Sequence, residues 1–265
     1  IGLAQAIGPV IGVGLVTYVI LSLNGGSYIT AVLFVLFVLP FIFVLKDPPL
    51  DPADRPPFEW GTFIKGFWVS PRAYPDFAWA WLARFLVSLG FAMSTLYLLF
   101  FLQDHLGFAS EEAGQQQTTL LLIYTLGMVC TAVLGGWISD RSGKRKVFVV
   151  VATVIMAVAG IILALVPANT GGFGLAMIAA IVLGLGYGWY LAVDQALITQ
   201  VLPTAGDRAR DLGVINIANS MPQVLAPVLC AIFVTSLGGY PALYLATAVV
   251  VLCGAAAVLP IKSVP

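Results

Sequence analysis

The side chains able to do chemistry in this chain are the few polar ones set inside long apolar runs. Arg84 and Asp194 lie in two different runs, both roughly 10–12 Å from the same membrane face at 1.5 Å of helix rise per residue. Charges at that depth are costly and commonly functional. In one reading the two form a level ion pair. In the other, Arg84 snorkels to the interface and Asp194 pairs with the loop that carries Arg208 and Arg210. Tyr190 and Tyr187 precede Asp194 by four and seven positions, and Gln195 adjoins it. Such a face can accept a proton or meet a solute, or it can simply pack in the bundle. Asn216, Asn219, Ser220 and Gln223 follow i, i+3, i+4, i+7 spacing, so they share one helical face. Amides cannot face lipid unsatisfied. A cavity that binds hydroxylated solutes and a set of interhelical hydrogen bonds both meet that need, and the length of the stripe favours the cavity. Ser88 and Thr95 extend the Arg84 face.

Other chemistries lack their residues. No nucleophile–base pair, phosphate-binding glycine loop or metal-ligand spacing is present, so neither an enzyme nor a metal centre is expected. Gly184-Leu185-Gly186-Tyr187-Gly188 sits inside an apolar helix with no strand before it, unlike a dinucleotide fingerprint. Cys130, Cys230 and Cys253 all fall in apolar runs and read as small core hydrophobes. A single histidine argues against a histidine-metal site.

The elements that must hold these residues are membrane helices. Sixty per cent of residues are hydrophobic, 9% are charged and mean hydropathy is +1.02, against about a quarter charged in soluble domains. Continuous runs reach the ~20 residues a spanning helix needs and lack the alternation of a membrane β-barrel. Eight spanning segments are predicted: Leu3–Ser22, Tyr28–Leu45, Phe77–Leu102, Thr118–Ile138, Val147–Val166, Phe173–Val201, Leu212–Leu237 and Tyr240–Pro260. A net charge of zero points to no nucleic-acid partner; the partners expected are the lipid bilayer and a small molecule.

Every Lys and Arg except Arg84 lies on one side, in the connectors after segments two, four and six and in the tail. The opposite connectors carry only Asp104, His105, Glu111 and Glu112. By the positive-inside rule the basic side is cytoplasmic, with both ends of the chain on that side. The connector from Lys46 to Asp76 is long and Pro-rich and reads as a linker. It divides the chain into residues 1–45, with two helices, a linker at 46–76, and residues 77–265, with six helices. Gln5-Ala6-Ile7-Gly8-Pro9-Val10 resembles Gln223-Val224-Leu225-Ala226-Pro227-Val228, and Val38-Leu39-Pro40 recurs as Val258-Leu259-Pro260 at nearly the same offset. If segments one and two repeat segments seven and eight, four further helices precede Ile1, and the parent has twelve in two parallel six-helix halves. The chain opens within an apolar run, with neither Met nor a charged leader, as a truncated parent would leave it.

The hairpin Gly136-Trp137-Ile138-Ser139-Asp140-Arg141-Ser142-Gly143-Lys144-Arg145-Lys146 ties this together. It resembles the cytoplasmic signature of the major facilitator superfamily, G-x-x-x-D-R/K-x-G-R/K-R/K, at every fixed position. It also falls where that family has it, between the second and third helices of a half. Gly8-Pro9-Val10-Ile11-Gly12 is similar to the family's helix-five motif, departing at Val13, where the antiporter pattern has glycine. The stretches from Asp194 to Leu197 and from Asp211 to Gln223 look like the sucrose-type symporter branch. Elementary chemistry agrees with the signature: Gly136 permits a close backbone approach, Gly143 a left-handed turn, and Arg141 can hold Asp140 bidentately.

The resemblance implies an all-α polytopic bundle of the major facilitator type with eight of twelve helices present, in the plasma membrane. It implies alternating access around a midplane site, with Gly136, Asp140, Arg141, Gly143, Lys144 and Arg145 as a cytoplasmic gate acting on Ile1–Gln5. Arg84, Asp194, Gln195, Tyr187, Tyr190, Asn216, Asn219, Ser220 and Gln223 form the expected solute and proton path, with H+ as coupling ion and no other cofactor. Gly8, Pro9, Gly12 and Pro227 are expected to serve helix packing. A sugar-type solute is the narrow expectation; an efflux antiporter and a transporter-like receptor are the alternatives. Asp140→Asn is expected to slow turnover in reconstituted full-length protein without altering solute preference; an altered preference in competition assays contradicts the gating role.

Overall fold

Seven helices long and apolar enough to cross a bilayer make up most of the described chain. The computed structural model describes residues 23–45, 59–61, 70–201 and 208–263. The helices are α1 (Leu23–Val44), α2 (Pro75–Leu96), α3 (Ser110–Ser142), α4 (Arg145–Ala164), α5 (Phe173–Val201), α6 (Arg208–Ser236) and α7 (Gly239–Val258). They correspond to predicted segments two to eight. Segment one, with Gly8, Pro9 and Gly12, and most of the expected linker lie outside the described residues.

The boundaries depart from hydropathy at the polar ends. α3 runs well beyond Thr118–Ile138 in both directions, because Glu111 and Glu112 sit in its first turn and Arg141 in its last. Acids at an N-terminus and a base at a C-terminus complement the helix dipole, a stabilisation that an apolar-run criterion cannot register. α2 continues past Leu96 through Leu98–Phe100 and a π-helical turn at Phe101–His105. That turn is pinned from two sides. Tyr240 Oη donates to Asp104 Oδ2 at 2.7 Å, and His105 Nε2 lies 3.0 Å from the Val166 carbonyl, so this nitrogen carries the hydrogen.

Helices α2 to α7 pack in the spatial order α3–α5–α4–α7–α2–α6. α3 and α6 are the flanks: 17% and 22% of their most apolar windows are buried, against 44–50% for α2, α4, α5 and α7. Two large apolar clusters stack along the bundle, with a small third one at Phe77, Ile198, Val214 and Ile215. One holds Val87, Met128, Met156, Val193 and Val251. The other holds Met93, Phe101, Leu120, Leu243 and Tyr244.

Lipid tails are as apolar as leucine, so close packing rather than water exclusion must hold such helices together. The sequence suggests that the glycines of α5 loosen it. The structure shows the opposite role. A Cβ at Gly184 would fall on the Tyr124 carbonyl and one at Gly188 on the Met128 carbonyl, so these two positions let the α3 backbone lie directly against α5. Gly184→Val is therefore expected to lower the melting temperature of the detergent-purified protein, at a cost of about 1–3 kcal/mol. Gly174→Ala, where a Cβ meets nothing within 4 Å, serves as the neutral control. Equal melting of the two variants contradicts this packing.

Candidate functional site

A cavity of about 630 Å³ lies within the membrane span of the six-helix body, a size common for small-molecule sites. Four helices line it. α2 contributes Arg84, Ser88, Phe91 and Thr95; α3 contributes Leu121, Tyr124, Thr125 and Met128; α5 contributes Tyr187, Leu191 and Gln195; α6 contributes Asn216, Asn219 and Gln223. In the packing order, α2 and α5 form its back and α3 and α6 its flanks.

The spacing that suggested a polar face on α6 places three of its four residues on the cavity. Ser220 is the exception. Its Oγ donates to the Asn216 carbonyl at 2.6 Å, and the residue is exposed away from the cavity. A serine at i+4 can satisfy itself on its own helix, which an asparagine or glutamine amide does less readily. On α5 the Tyr187/Tyr190/Asp194 face divides in depth. Tyr187 lines the cavity, while Tyr190 and Asp194 lie behind it at 4% and 5% exposure.

Arg84 and Asp194 meet. Arg84 Nε lies 3.4 Å from Asp194 Oδ2, both side chains about 6% exposed. The same Nε donates to Asn219 Oδ1 at 2.8 Å, and Ser88 Oγ approaches that oxygen at 3.5 Å. Arg84 therefore joins α2, α5 and α6 at one point, and snorkelling does not occur. The Tyr190 hydroxyl sits beside the carboxylate without closing a well-formed hydrogen bond. Beyond the pair, α2 and α6 are cross-tied at both ends of the cavity. Trp81 Nε1 donates to the Val214 carbonyl at 2.9 Å, and Tyr97 Oη reaches the Pro227 carbonyl at 3.4 Å. Pro227 thus sits exposed within α6, with its carbonyl turned to Tyr97.

Beyond Tyr187, sequence reasoning missed the aromatic side of the cavity. Phe91 and Tyr187 stack with centroids 3.9 Å apart, and Tyr124 tilts against both. Phe91 had a readable signal, since it falls on the Arg84, Ser88, Thr95 face. Tyr124 and Met128 had little, because the polar residues of α3 at that level are hydroxyls that can bond their own helix, as Thr125 does on the Leu121 carbonyl, and so do not mark its cavity side.

At the hairpin, Gly143 takes φ +67° as the C-cap of α3, donating its N–H to the Ser139 carbonyl. This is the left-handed helix ending that glycine adopts at least cost. Close approach at Gly136 is not observed: a Cβ there meets only Ala192 Cβ, at an ordinary 3.8 Å. The tight position is one residue earlier, where a Cβ on Gly135 would lie 2.7 Å from the Trp189 ring. Helix rotation decides which of two adjacent glycines faces the neighbour. Arg141 lies over the Trp137 ring, 4.3 Å from its centroid, a cation–π contact; the side chain of Asp140 lies outside the described residues. Arg145 Nη1 donates to the Ala196 carbonyl at 2.8 Å, tying the hairpin to α5 two residues from Asp194. Lys144 is exposed. The contact with Ile1–Gln5 also lies outside the described residues.

The fold and the cavity define a polytopic α-helical membrane protein with a chamber among its spanning helices, lined by an arginine, amides and aromatic rings. The chain belongs to the Major Facilitator Superfamily, whose model matches residues 110–265. It is 29% identical over 163 residues to the ectoine/proline transporter ProP of Corynebacterium glutamicum, covering 59% of this chain and 30% of that protein. It is 28% identical over 152 residues to YfiU of Bacillus subtilis (strain 168), an uncharacterized MFS-type transporter, covering 57% of this chain and 27% of that protein. The matched stretch thus spans less than a third of either relative.

Breaking one side of the Arg84–Asp194 pair strands a charge in a dry site, which costs about 3–5 kcal/mol where such pairs have been cut. Arg84→Ala is expected to destabilise the detergent-purified protein by that order. The double variant Arg84→Ala/Asp194→Asn is expected to recover most of the loss. A double variant as unstable as the single contradicts a paired ionic site.

Proposed function

We propose that the full-length protein is a secondary active transporter moving a small polar organic solute by alternating access, with a proton as the coupling ion. The observation that carries this reading is the Arg84–Asp194 pair, buried directly behind an amide-lined cavity in the membrane span. A carboxylate in that position can gain and lose a proton next to bound solute, which coupling requires. The neutral donors and acceptors of Gln195, Asn216, Asn219 and Gln223 suit a solute without net charge. A sugar fits, because hydroxyls match amides and a ring face matches the Phe91–Tyr187 stack. The name of the Corynebacterium relative adds zwitterions such as ectoine and proline.

In the superfamily arrangement, a second six-helix half closes the cavity and the two halves rock around it. The division at residues 46–76 places residues 1–45 in that other half. The basic hairpin then faces the cytoplasm of the cell membrane, and its Gly143 turn and Arg145–Ala196 tie give the gate a rigid base against α5. A second reading, efflux of apolar molecules by proton antiport, draws on Leu121, Met128 and the aromatic lining.

Uptake of labelled sucrose, glucose, proline and ectoine into proteoliposomes containing the full-length protein separates these readings. Accumulation of one of the four under an inward proton gradient is expected; extrusion of a lipophilic dye with no uptake of any supports the second. Asp194→Asn is expected to abolish proton-driven accumulation while leaving solute counterflow intact. Unchanged proton-driven uptake in that variant removes Asp194 from coupling.

A further inference from the structure

The Nε of Arg84 carries one hydrogen, and two acceptors stand around it. Asn219 Oδ1 takes it at 2.8 Å. Asp194 Oδ2, at 3.4 Å from the same nitrogen, forms the ion pair without a hydrogen bond of its own among the described residues. A guanidinium only donates, so the asparagine atom facing it must be the carbonyl oxygen. The acceptors differ in access. Asp194 is sealed behind the cavity wall, whereas Asn219 is half-buried and lines the cavity. Ser88 Oγ, 3.5 Å from Oδ1, adds a second donor on the same oxygen and steadies the amide where it is.

We infer that Asn219 is a positioning residue that draws the Arg84 Nε hydrogen away from Asp194, and that a solute hydroxyl or N–H competing for the Asn219 oxygen returns that hydrogen to the carboxylate. Solute occupancy and the pairing of Asp194 are then two readings of one hydrogen's position. The linkage is reciprocal: whatever strengthens the Arg84–Asp194 bond also frees the Asn219 amide for solute. Neither acceptor moves far, because the alternatives differ by a swing of one N–H between oxygens already in place. The same amide selects for solutes that can donate a hydrogen bond, and a solute that only accepts leaves the pair as it stands. The consequence for transport rests on the proposed function; the placement of the hydrogen does not.

The test therefore reads the hydrogen and needs no transport. Full-length protein in detergent is treated with N,N′-dicyclohexylcarbodiimide, and modification at Asp194 is followed by peptide mass spectrometry. The reagent adds to a protonated carboxyl, giving an N-acylurea with no atom lost, and reacts poorly with a carboxylate held by a guanidinium hydrogen bond. Asn219→Leu keeps the side-chain size and removes the acceptor, so Asp194 should label about tenfold more slowly, the factor that one charge-assisted hydrogen bond supplies. Asn219→Asp keeps an acceptor toward Arg84 and adds a like charge beside Asp194, so it should label at Asp194 at least as fast as the wild type. Arg84→Gln should label at least as fast as the wild type. A purely structural role for Asn219 would move the Leu and Asp variants together, and that outcome overturns the inference. Equal rates in the wild type and Asn219→Leu overturn it as well. So does a wild-type Asp194 that resists the reagent at acidic pH while Arg84→Gln reacts, since the guanidinium hydrogen would then already be on the carboxylate. A protein that moves none of the four solutes leaves the labelling outcome readable.

Discussion

One constraint shapes the six-helix body: a guanidinium at membrane depth must be kept from lipid and given partners by protein or by a cavity. Placing a single charged side chain at the centre of a spanning helix costs about 2.5–3.5 kcal/mol even on insertion scales. Arg84 meets that cost by drawing in groups from two other helices, a carboxylate from α5 and an amide from α6. Those contacts fix how α2, α5 and α6 rotate about their own axes. Once the rotations are set, the remaining polar residues on the same faces, Ser88, Gln195, Asn216 and Gln223, converge on one chamber. The cavity follows from satisfying Arg84.

Holding the chamber open requires that the other helices pack more tightly than side chains alone allow. α3 and α5 do this through backbone contact at Gly184 and Gly188, which also brings Tyr124 and Met128 to the cavity edge. Most of the apolar lining therefore comes from the glycine-mediated seam, joined by Phe91 of α2, while the charge and the amides come from the Arg84 junction. The division explains a cavity that presents amides on one side and a stacked Phe91–Tyr187 pair with Tyr124 on the other.

The hairpin reaches the same centre from the membrane face. Gly143 ends α3 in a left-handed residue, which turns the chain directly into α4. Arg145 then anchors on the Ala196 carbonyl of α5. Ala196 is two residues along the same helix from Asp194, so the membrane-face turn and the charge pair share α5 as a common support.

Much of this was legible from residue order alone. Membrane helices, the family and the reach of the polar stripe on α6 are properties of local composition and of 3.6-residue periodicity, which every lipid-facing or protein-facing helix must obey. Gly143 was legible because a left-handed turn selects glycine wherever it occurs. What the sequence could not decide was rotation and depth. It left open whether Arg84 meets Asp194 or the interface, since both satisfy a charge. It put Ser220 on the stripe, although that hydroxyl closes on its own helix. It marked both Gly135 and Gly136 for close approach, although adjacent residues on a helix face about 100° apart and only the neighbour's position tells that Gly135 is the crowded one. It gave Tyr124 and Met128 no distinction within an apolar helix. The sequence determined that this is a membrane bundle carrying charged and amide groups that lipid cannot solvate. Only the tertiary structure decided which of those groups share a hydrogen, because that depends on angstrom-scale approach between helices far apart in the chain.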